Sequence, residues 1–303
     1  MAKHLVSLSE FSKDELRAYI DRAIELKREA RAGIRHHQLA GKTVAMIFEK
    51  ASTRTRVSFE AAMYGLGGQV IFMPSRDTQL ARSEPLKDMA RVMSSYVDGM
   101  VVRTFGQEVV EELVRYSAIP VINALTDLHH PCQILSDVMT VIEKKGRLEE
   151  LHVAWIGDGN NMANSWIQAA GRLEFSLTLA CPPGYGPDER ILRDARQGSA
   201  RPITVVDDPL AAVRDADVIN TDVWASMGQE EEQQHRLKVF QSYQVDEPLV
   251  NRAKKDAIVL HCLPAHRGEE ITDEVLEGQQ CVAFDQAENK LHIHKAILEK
   301  HLA

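Results

Sequence analysis

Apolar residues along the chain form short runs, and segments with helical periodicity separate these runs. In the first half, strands are predicted over residues 43–48, 69–72, 99–104 and 121–124. Helices are predicted to begin near Thr55, Pro85 and Glu108, and one more runs from Cys132 to about Lys145. This alternation of strands and helices is typical of a parallel sheet.

The same alternation resumes after a break at Lys144-Lys145-Gly146-Arg147. Strands are then predicted over residues 151–156, 176–180, 203–206, 217–221, 257–261 and 281–284, followed by a closing helix over residues 291–302. The pattern predicts an α/β protein with two doubly wound parallel-sheet domains and an active site in the cleft between them. The expected domains are residues 1–146 and 147–285, with a C-terminal helix in 286–303 that packs back on the first domain.

An earlier helix is predicted near the N-terminus. Ser12 and Glu15 have the spacing of a capping box, and Leu16, Ile20 and Ala23 follow on one face. Gly33 supplies the stop signal.

Composition narrows the possible classes of protein. The 303 residues are 44% hydrophobic, which is enough for a large core, and the formal charge of -8 with a pI near 5.9 argues against a general nucleic-acid partner. We detect no apolar run of membrane-spanning length and no signal-peptide core, so a cytoplasmic location is expected. Reduced thiols are also expected, because no CxxC pair occurs among Cys132, Cys181, Cys262 and Cys281.

The most informative polar segment is Ser52-Thr53-Arg54-Thr55-Arg56, directly after the first predicted strand. If a helix begins here, its first turn presents unpaired backbone N–H groups, and the arginines add donors suited to phosphate. The sequence therefore predicts an oxyanion cradle for a small phosphorylated molecule. A hydroxyl N-cap with two solvated arginines is the alternative.

Further polar motifs follow the other predicted strands, where ligands of α/β sheets collect. They are His-Pro-Cys-Gln at residues 130–133, Asp-Val-Trp-Ala-Ser-Met-Gly at 222–228 and His-Cys-Leu-Pro-Ala-His-Arg-Gly-Glu-Glu at 261–270. A dinucleotide site at Gly157-Asp158-Gly159-Asn160-Asn161 is weakly supported, because Met162 stands where the third glycine belongs. A tight strand–helix turn that presents Asn161 explains this segment better.

The four motifs, in this order and over nearly the whole chain, resemble the aspartate/ornithine carbamoyltransferase family, and specifically its ornithine-using members. The resemblance implies transfer of the carbamoyl group of carbamoyl phosphate to the δ-amino group of L-ornithine, which gives L-citrulline and phosphate. Arginine biosynthesis is the expected setting, although the motifs do not separate it from the catabolic direction. The resemblance also implies a homotrimer or an assembly of trimers, with no cofactor and no metal. Charge and hydropathy lead us to expect no nucleic-acid partner and no membrane partner.

For carbamoyl phosphate, the resemblance implies contacts from both halves of the chain, with Gln79 supplied by a neighbouring subunit. The expected residues are Ser52, Thr53, Arg54, Thr55, Gln79, Arg103, His130, Gln133, Cys262, Leu263 and Lys290. Lys290 departs from the family pattern, which usually has an arginine there. Lysine keeps the charge and loses the bidentate fork, so weaker binding of carbamoyl phosphate is expected.

For ornithine, the resemblance implies Asn161, Asp222, Ser226 and Met227. The expected catalytic residues are Arg103, His130, Asp222 and Cys262; Arg103 and His130 act at the carbamoyl end, while Asp222 and Cys262 orient ornithine and help its δ-ammonium lose a proton.

Several alternatives remain open at this point. Cys262 alone also fits an inert buried thiol, and Asp222 alone fits a turn cap. A zinc site is a further possibility, with ligands drawn from His129, His130, Cys132, His261, Cys262 and His266. Three alternative functions also stay open: a putrescine carbamoyltransferase, a non-catalytic paralogue and, if zinc is bound, a metal-dependent hydrolase.

Overall fold

The computed structural model describes residues 3–74, 84–225 and 232–303. The chain divides into two compact units: unit 1 comprises Met1–Met139 and Glu288–Ala303, and unit 2 comprises Thr140–Ala287. The division falls within a helix, Pro131–Lys145, and the sequence predicts the boundary just after this helix, at residue 146. None of the described helices is long and apolar enough to cross a lipid bilayer.

In the described part of unit 1, four strands form a parallel sheet in the order β2-β1-β3-β4. The strands are β1 (Thr43–Phe48), β2 (Gln69–Pro74), β3 (Gly99–Arg103) and β4 (Val121–Leu125). The helices along this part of the chain are α1 (Lys13–Arg31), α2 (Thr53–Gly65), α3 (Leu86–Tyr96), α4 (Gln107–Tyr116) and α5 (Pro131–Lys145). The chain leaves β1 toward β2 on one side and later returns to β3 on the other, so the β1–β3 edge is the switch point where ligands bind in such sheets.

Helix α1 shows the predicted capping box. The Ser12 hydroxyl accepts from the Glu15 N–H, and the Glu15 carboxylate accepts from the Ser12 N–H at 2.9 Å. The helix ends at Arg31, and Gly33 follows with φ of +75°, a conformation that favours glycine. Leu16 and Ile20 are buried, as the amphipathic pattern requires.

In the described part of unit 2, five strands form a parallel sheet in the order β7-β6-β5-β8-β9. The strands are β5 (His152–Ile156), β6 (Ser176–Ala180), β7 (Ile203–Val206), β8 (Val218–Thr221) and β9 (Ile258–His261). The helices that follow α5 are α6 (Asn161–Leu173), α7 (Glu189–Gly198), α8 (Pro209–Val213), α9 (Gln233–Val239), α10 (Glu247–Val250), α11 (Asp273–Leu276) and α12 (Ala283–Leu302). Here the switch point lies between β5 and β8. The prediction of two parallel α/β sheets is confirmed.

The predicted strand over residues 281–284 is wrong. Cys281 makes only an isolated bridge to Val259, and α12 begins at Ala283, before the predicted helix start at residue 291. The early turns of α12 bury Gln286, Asn289 and Lys290. Because these inward positions are polar, the helix has little apolar periodicity where it begins.

Candidate functional site

The segment after β1 begins helix α2 as the cradle prediction requires. Ser52 is the N-cap residue with extended backbone (φ of -162°), and within the described residues its hydroxyl makes no capping hydrogen bond to the helix. Thr53 and Arg54 are exposed, whereas Thr55 is buried. The first-turn N–H groups and the positive end of the helix dipole are therefore not served by the N-cap side chain, and they suit an anion.

Arg103 lies on the other side of the β1–β3 switch point. It is the last residue of β3, pairs in register with Phe48 and is 9% exposed. The N–H of Glu49 donates to the Arg103 carbonyl at 2.8 Å, and the Thr104 hydroxyl donates to the Glu49 carboxylate. These bonds tie the loop that leads to the cradle to the end of β3.

A buried polar chain links α5 to α12 within unit 1. Lys290 Nζ donates to Gln133 Oε1 at 2.8 Å, and Gln133 Nε2 donates to Asp137 Oδ1 at 2.7 Å. All three side chains are almost fully buried. These hydrogen bonds bring Lys290 and Gln133 together, and both residues are expected to hold carbamoyl phosphate.

His130 lies in a positively charged environment. Burial first, and then the charges of Lys290, Arg103 and His294, hold the pKa of His130 well below its usual range. An imidazole in this setting is neutral at neutral pH, so it can donate one hydrogen bond to a bound oxygen without adding charge.

The zinc ligands proposed from the sequence are distributed differently in the structure. Among the described residues, the two clusters with metal-ligand spacing are Asp222–His261–Cys262 and His266–Glu269–Glu270. Neither contains His129, His130 or Cys132. Burial raises the pKa of the Cys132 thiol to about 12, and its Sγ donates to the Asn123 carbonyl at 3.3 Å. A protonated thiol of this kind is a poor zinc ligand.

In unit 2, Asp222 lies directly after β8 and joins three other groups. Its Oδ1 accepts from Cys262 Sγ at 3.0 Å and from the Val223 N–H at 2.8 Å, and its Oδ2 accepts from Asn160 Nδ2 at 3.3 Å. Cys262 follows β9, the neighbour of β8. The structure thus brings together the carboxylate and the thiol that the sequence analysis paired.

The loop after β9 is held by a buried histidine and glutamate. His261 Nδ1 accepts from the Leu263 N–H at 2.9 Å, so the ring proton is on Nε2, which donates to Glu270 Oε1 at 2.8 Å. The same Glu270 oxygen accepts from the His266 N–H at 2.7 Å, and His261 and Glu270 are both fully buried. Leu263 has φ of +57°, which is uncommon for a residue other than glycine, and the His261 contact fixes that residue.

The turn after β5 has features that explain Gly159 without a dinucleotide. The Asn160 side chain accepts from the N–H groups of Met162 and Ala163, and so occupies donors that a pyrophosphate would use. A Cβ atom at Gly159 would lie 2.2 Å from the Gly186 carbonyl carbon, so close backbone packing requires glycine there. Asn161 begins α6 beside this turn.

Arg236 is a structural residue of this loop cluster that sequence reasoning missed. It is 6% exposed, and its Nη1 donates to Asp158 Oδ2 and to the Trp224 carbonyl, each at 2.8 Å. It therefore links the turn after β5 to the loop after β8. The sequence gives no signal for this, because Arg236 lies on a short, polar helix far from Asp158.

The predicted site residues divide between the two units. Unit 1 holds Ser52, Thr53, Arg54, Thr55, Arg103, His130, Gln133 and Lys290, whereas unit 2 holds Asn161, Asp222, Cys262 and Leu263. Gln79, Ser226 and Met227 lie outside the described residues.

Two parallel-sheet units, one with a cationic cradle and the other with a carboxylate–thiol pair, define an α/β enzyme of small polar substrates. The family model "Aspartate/ornithine carbamoyltransferase, carbamoyl-P binding domain" matches residues 3–143, and the model of the Asp/Orn binding domain matches residues 149–300. The chain belongs to the aspartate/ornithine carbamoyltransferase family, which confirms the resemblance seen in the motifs.

Similar proteins span the chain from end to end. It is 70% identical to an ornithine carbamoyltransferase of Desulfotalea psychrophila over 302 residues, with 100% of both chains covered. It is 56% identical to one of Geobacter sulfurreducens, with 98% of each covered. Among solved structures, ornithine carbamoyltransferase from Pyrococcus furiosus matches with a TM-score of 0.97 at 46% identity, covering 99% of this chain and 97% of that one.

Proposed function

We propose that this protein transfers the carbamoyl group of carbamoyl phosphate to the δ-amino group of L-ornithine, giving L-citrulline and phosphate. The proposal is supported by full-length identity of 70% to a relative of that name and by family models for both substrate-binding domains. The structural observation that carries it is the 3.0 Å contact between Cys262 Sγ and Asp222 Oδ1, which joins two loops of unit 2 at the ends of adjacent strands.

Unit 1 is proposed to bind carbamoyl phosphate. The N–H groups and side chains of Ser52, Thr53, Arg54 and Thr55 would hold the phosphate, because a helix N-terminus with an adjacent guanidinium is a strong anion site. Arg103, His130 and Gln133 would contact the carbamoyl end, and Gln79 would come from a neighbouring subunit.

Unit 2 is proposed to bind ornithine. Asn161, Asp222, Ser226 and Met227 are the proposed contacts, and Cys262 and Leu263 are proposed to lie next to the carbamoyl group. Asp222 offers a carboxylate to an ammonium group, while Cys262 holds that carboxylate in place.

The chemistry requires a neutral amine, since an ammonium has no lone pair. A free alkyl ammonium titrates near ~10, so at neutral pH a proton acceptor must assist, and Asp222, oriented by Cys262, is proposed to take up the δ-ammonium proton. The δ-nitrogen then attacks the carbonyl carbon, and Arg103 and His130 stabilise the oxyanion of the tetrahedral intermediate. Collapse of this intermediate breaks the C–O bond to phosphate, which leaves and can take up a proton. No covalent enzyme intermediate is proposed.

A colorimetric citrulline assay tests this function. Carbamoyl phosphate is supplied with ornithine, putrescine or aspartate as separate acceptors, with EDTA present throughout. We expect product with ornithine only. Carbamoylputrescine would favour the diamine alternative, loss of activity in EDTA would favour a metal-dependent enzyme, and no product from folded protein would favour a non-catalytic paralogue.

A homotrimer is proposed as the working assembly. Unit 1 exposes Val57 and Tyr64, which lie on one face of α2, and Ile71 on the edge strand β2; their exposed fractions are 57%, 83% and 50%. Exposed apolar groups at a sheet edge favour association between chains. Sedimentation analysis should give three times the 34.0 kDa chain mass or a multiple of that trimer, and a monomer would contradict the proposal.

A cytoplasmic location is also proposed, because the Cys262 thiol must stay reduced.

A further inference from the structure

We propose that His294 is a positioning residue for the phosphate cradle, and that it acts through the Ser58 hydroxyl on the Arg54–Thr55 peptide of α2. The proposal rests on the proposed function, since it takes carbamoyl phosphate as the ligand of the cradle. His294 belongs to α12, which lies at the other end of the chain from the cradle motif.

The hydrogen bonds define the direction of this contact. Ser58 Oγ donates its one proton to the Arg54 carbonyl at 2.7 Å, with the Thr55 carbonyl also near at 3.1 Å. Ser58 Oγ also lies 2.9 Å from His294 Nδ1. Because the hydroxyl proton is already used, Nδ1 must be the donor in this second bond.

The imidazole ring is held in place by packing as well. It stacks on Phe59 with ring centroids 3.6 Å apart and an interplanar angle of 13°. His294 is fully buried and Phe59 is 1% exposed. Burial, and then the charge of Lys290, hold the pKa of His294 well below its usual range, so the ring carries only the Nδ1 proton at neutral pH.

The anchored carbonyl is part of the cradle itself. Arg54 C=O and Thr55 N–H belong to one planar peptide unit, so fixing the oxygen also fixes the direction of the N–H. Thr55 N–H is one of the first-turn donors that point toward an anion. A serine that bonds to the carbonyl four residues earlier tends to bend a helix, and His294 holds that serine in a single orientation.

Three variants separate the parts of this contact. His294→Phe keeps a ring on Phe59 but removes the Nδ1 donor, His294→Asn keeps an amide donor, and Ser58→Ala removes the linking hydroxyl. Ser94→Ala is the matched control, because Ser94 Oγ makes the same kind of bond to the Ala90 carbonyl, at 2.7 Å, on α3 of the same unit.

We expect His294→Phe and Ser58→Ala each to raise the KM for carbamoyl phosphate about threefold to tenfold, with the KM for ornithine unchanged. The double variant should show no further loss, since both changes remove one linked interaction. His294→Asn should restore the KM to within about twofold of the parent value, and Ser94→Ala should leave it unchanged.

A purely structural role would lower the melting temperature and kcat without a selective effect on one KM. The inference is overturned if folded His294→Phe keeps the parent KM for carbamoyl phosphate, or if the Ser58 and His294 effects multiply. Calorimetric titration with inorganic phosphate reads the cradle without ornithine. Should the parent protein make no citrulline, the proposed function fails, and the phosphate affinities of the same variants still decide the role of His294.

Discussion

In unit 1 the proposed phosphate-binding groups lie on or next to regular elements, whereas in unit 2 the proposed catalytic pair, Asp222 and Cys262, lies on loops that follow strands. The cradle is the first turn of α2, Arg103 ends β3, and Lys290 lies on α12. In unit 2, Asp222 and Cys262 lie in irregular segments that follow strands. Hydrogen bonds between buried polar side chains, such as that of His261 with Glu270, hold these segments in place. The cradle donors thus come from one continuous turn of helix, with His294 proposed to position them, whereas the carboxylate–thiol pair is assembled from residues 40 positions apart in the chain.

Loss of the Asp222 carboxylate is expected to have the largest effect in unit 2. Replacing it with alanine removes the acceptor shared by Cys262, Val223 and Asn160, together with the group proposed to favour amine deprotonation. We expect kcat/KM for ornithine to fall about 10²- to 10⁴-fold, measured by citrulline formation. Asp208→Ala removes an N-cap of α8 in the same unit and should leave kcat/KM unchanged. Similar losses in both variants would show that Asp222 acts only on the fold.

In unit 1, Arg54→Ala removes a guanidinium that is exposed at the cradle. Because the variant loses charged hydrogen bonds to phosphate, we expect the KM for carbamoyl phosphate to rise about tenfold to 100-fold. The KM for ornithine should change little. Arg56→Ala is the control two residues away, because Arg56 pairs with Glu60 at 2.8 Å and lies over the Phe72 ring. Initial-rate measurements with each substrate varied in turn distinguish the two. Equal effects of the two arginines would contradict the cradle.

Glu270 tests the dependence of unit 2 on buried polar pairs. Glu270→Ala removes the acceptor of two donors, the buried His261 Nε2–H and the part-buried His266 N–H. We expect the free energy of unfolding to fall by about 2–4 kcal/mol. Urea denaturation measures this loss. Glu270→Gln keeps a carbonyl acceptor and should cost less. If both variants lose equally little, Glu270 does not hold the loop.

The sequence predicts the cradle more fully than it predicts the contacts that support the two sites, because only the cradle is encoded by neighbouring residues. Hydroxyls and arginines directly after an apolar strand predict the cradle locally, and the strand starts and helix α1 also follow from local patterns. The contacts of Arg236 with Asp158 and of His294 with Ser58 join residues far apart in the chain, which no local pattern reveals. The sequence predicts the start of α12 at residue 291 instead of 283 because the first turns bury Gln286, Asn289 and Lys290, whose polar side chains hide the helical period.

A pH series compares the acid sensitivity of a half-buried histidine of unit 1, His301, with that of an exposed histidine. Burial lowers the pKa of His301 to about 4, while the unfolded chain binds the proton near about 6.5. The contribution of His301 to stability is therefore fully present above about pH 6.5 and is lost as the pH falls toward 4. Within this window the free energy of unfolding falls by up to about 1.4 kcal/mol per pH unit. His301→Gln should flatten the slope of unfolding free energy against pH by about one proton. Urea denaturation between pH 7 and 5 measures it, with exposed His37→Gln as the control; equal slopes in all three proteins would contradict the assignment.

Replacing Lys290 is expected to have a small effect that is confined to the carbamoyl phosphate site proposed for unit 1. Lys290 Nζ is a point charge that already donates to Gln133 Oε1, so one ammonium would serve both the amide and the phosphate that we propose binds there. An arginine offers a planar fork that can serve both. Lys290→Arg should therefore lower the KM for carbamoyl phosphate about twofold to tenfold, with the KM for ornithine unchanged. Lys300→Arg, an exposed change on the same helix, is the control, and an unchanged or higher KM in Lys290→Arg would remove the idea that lysine weakens the site.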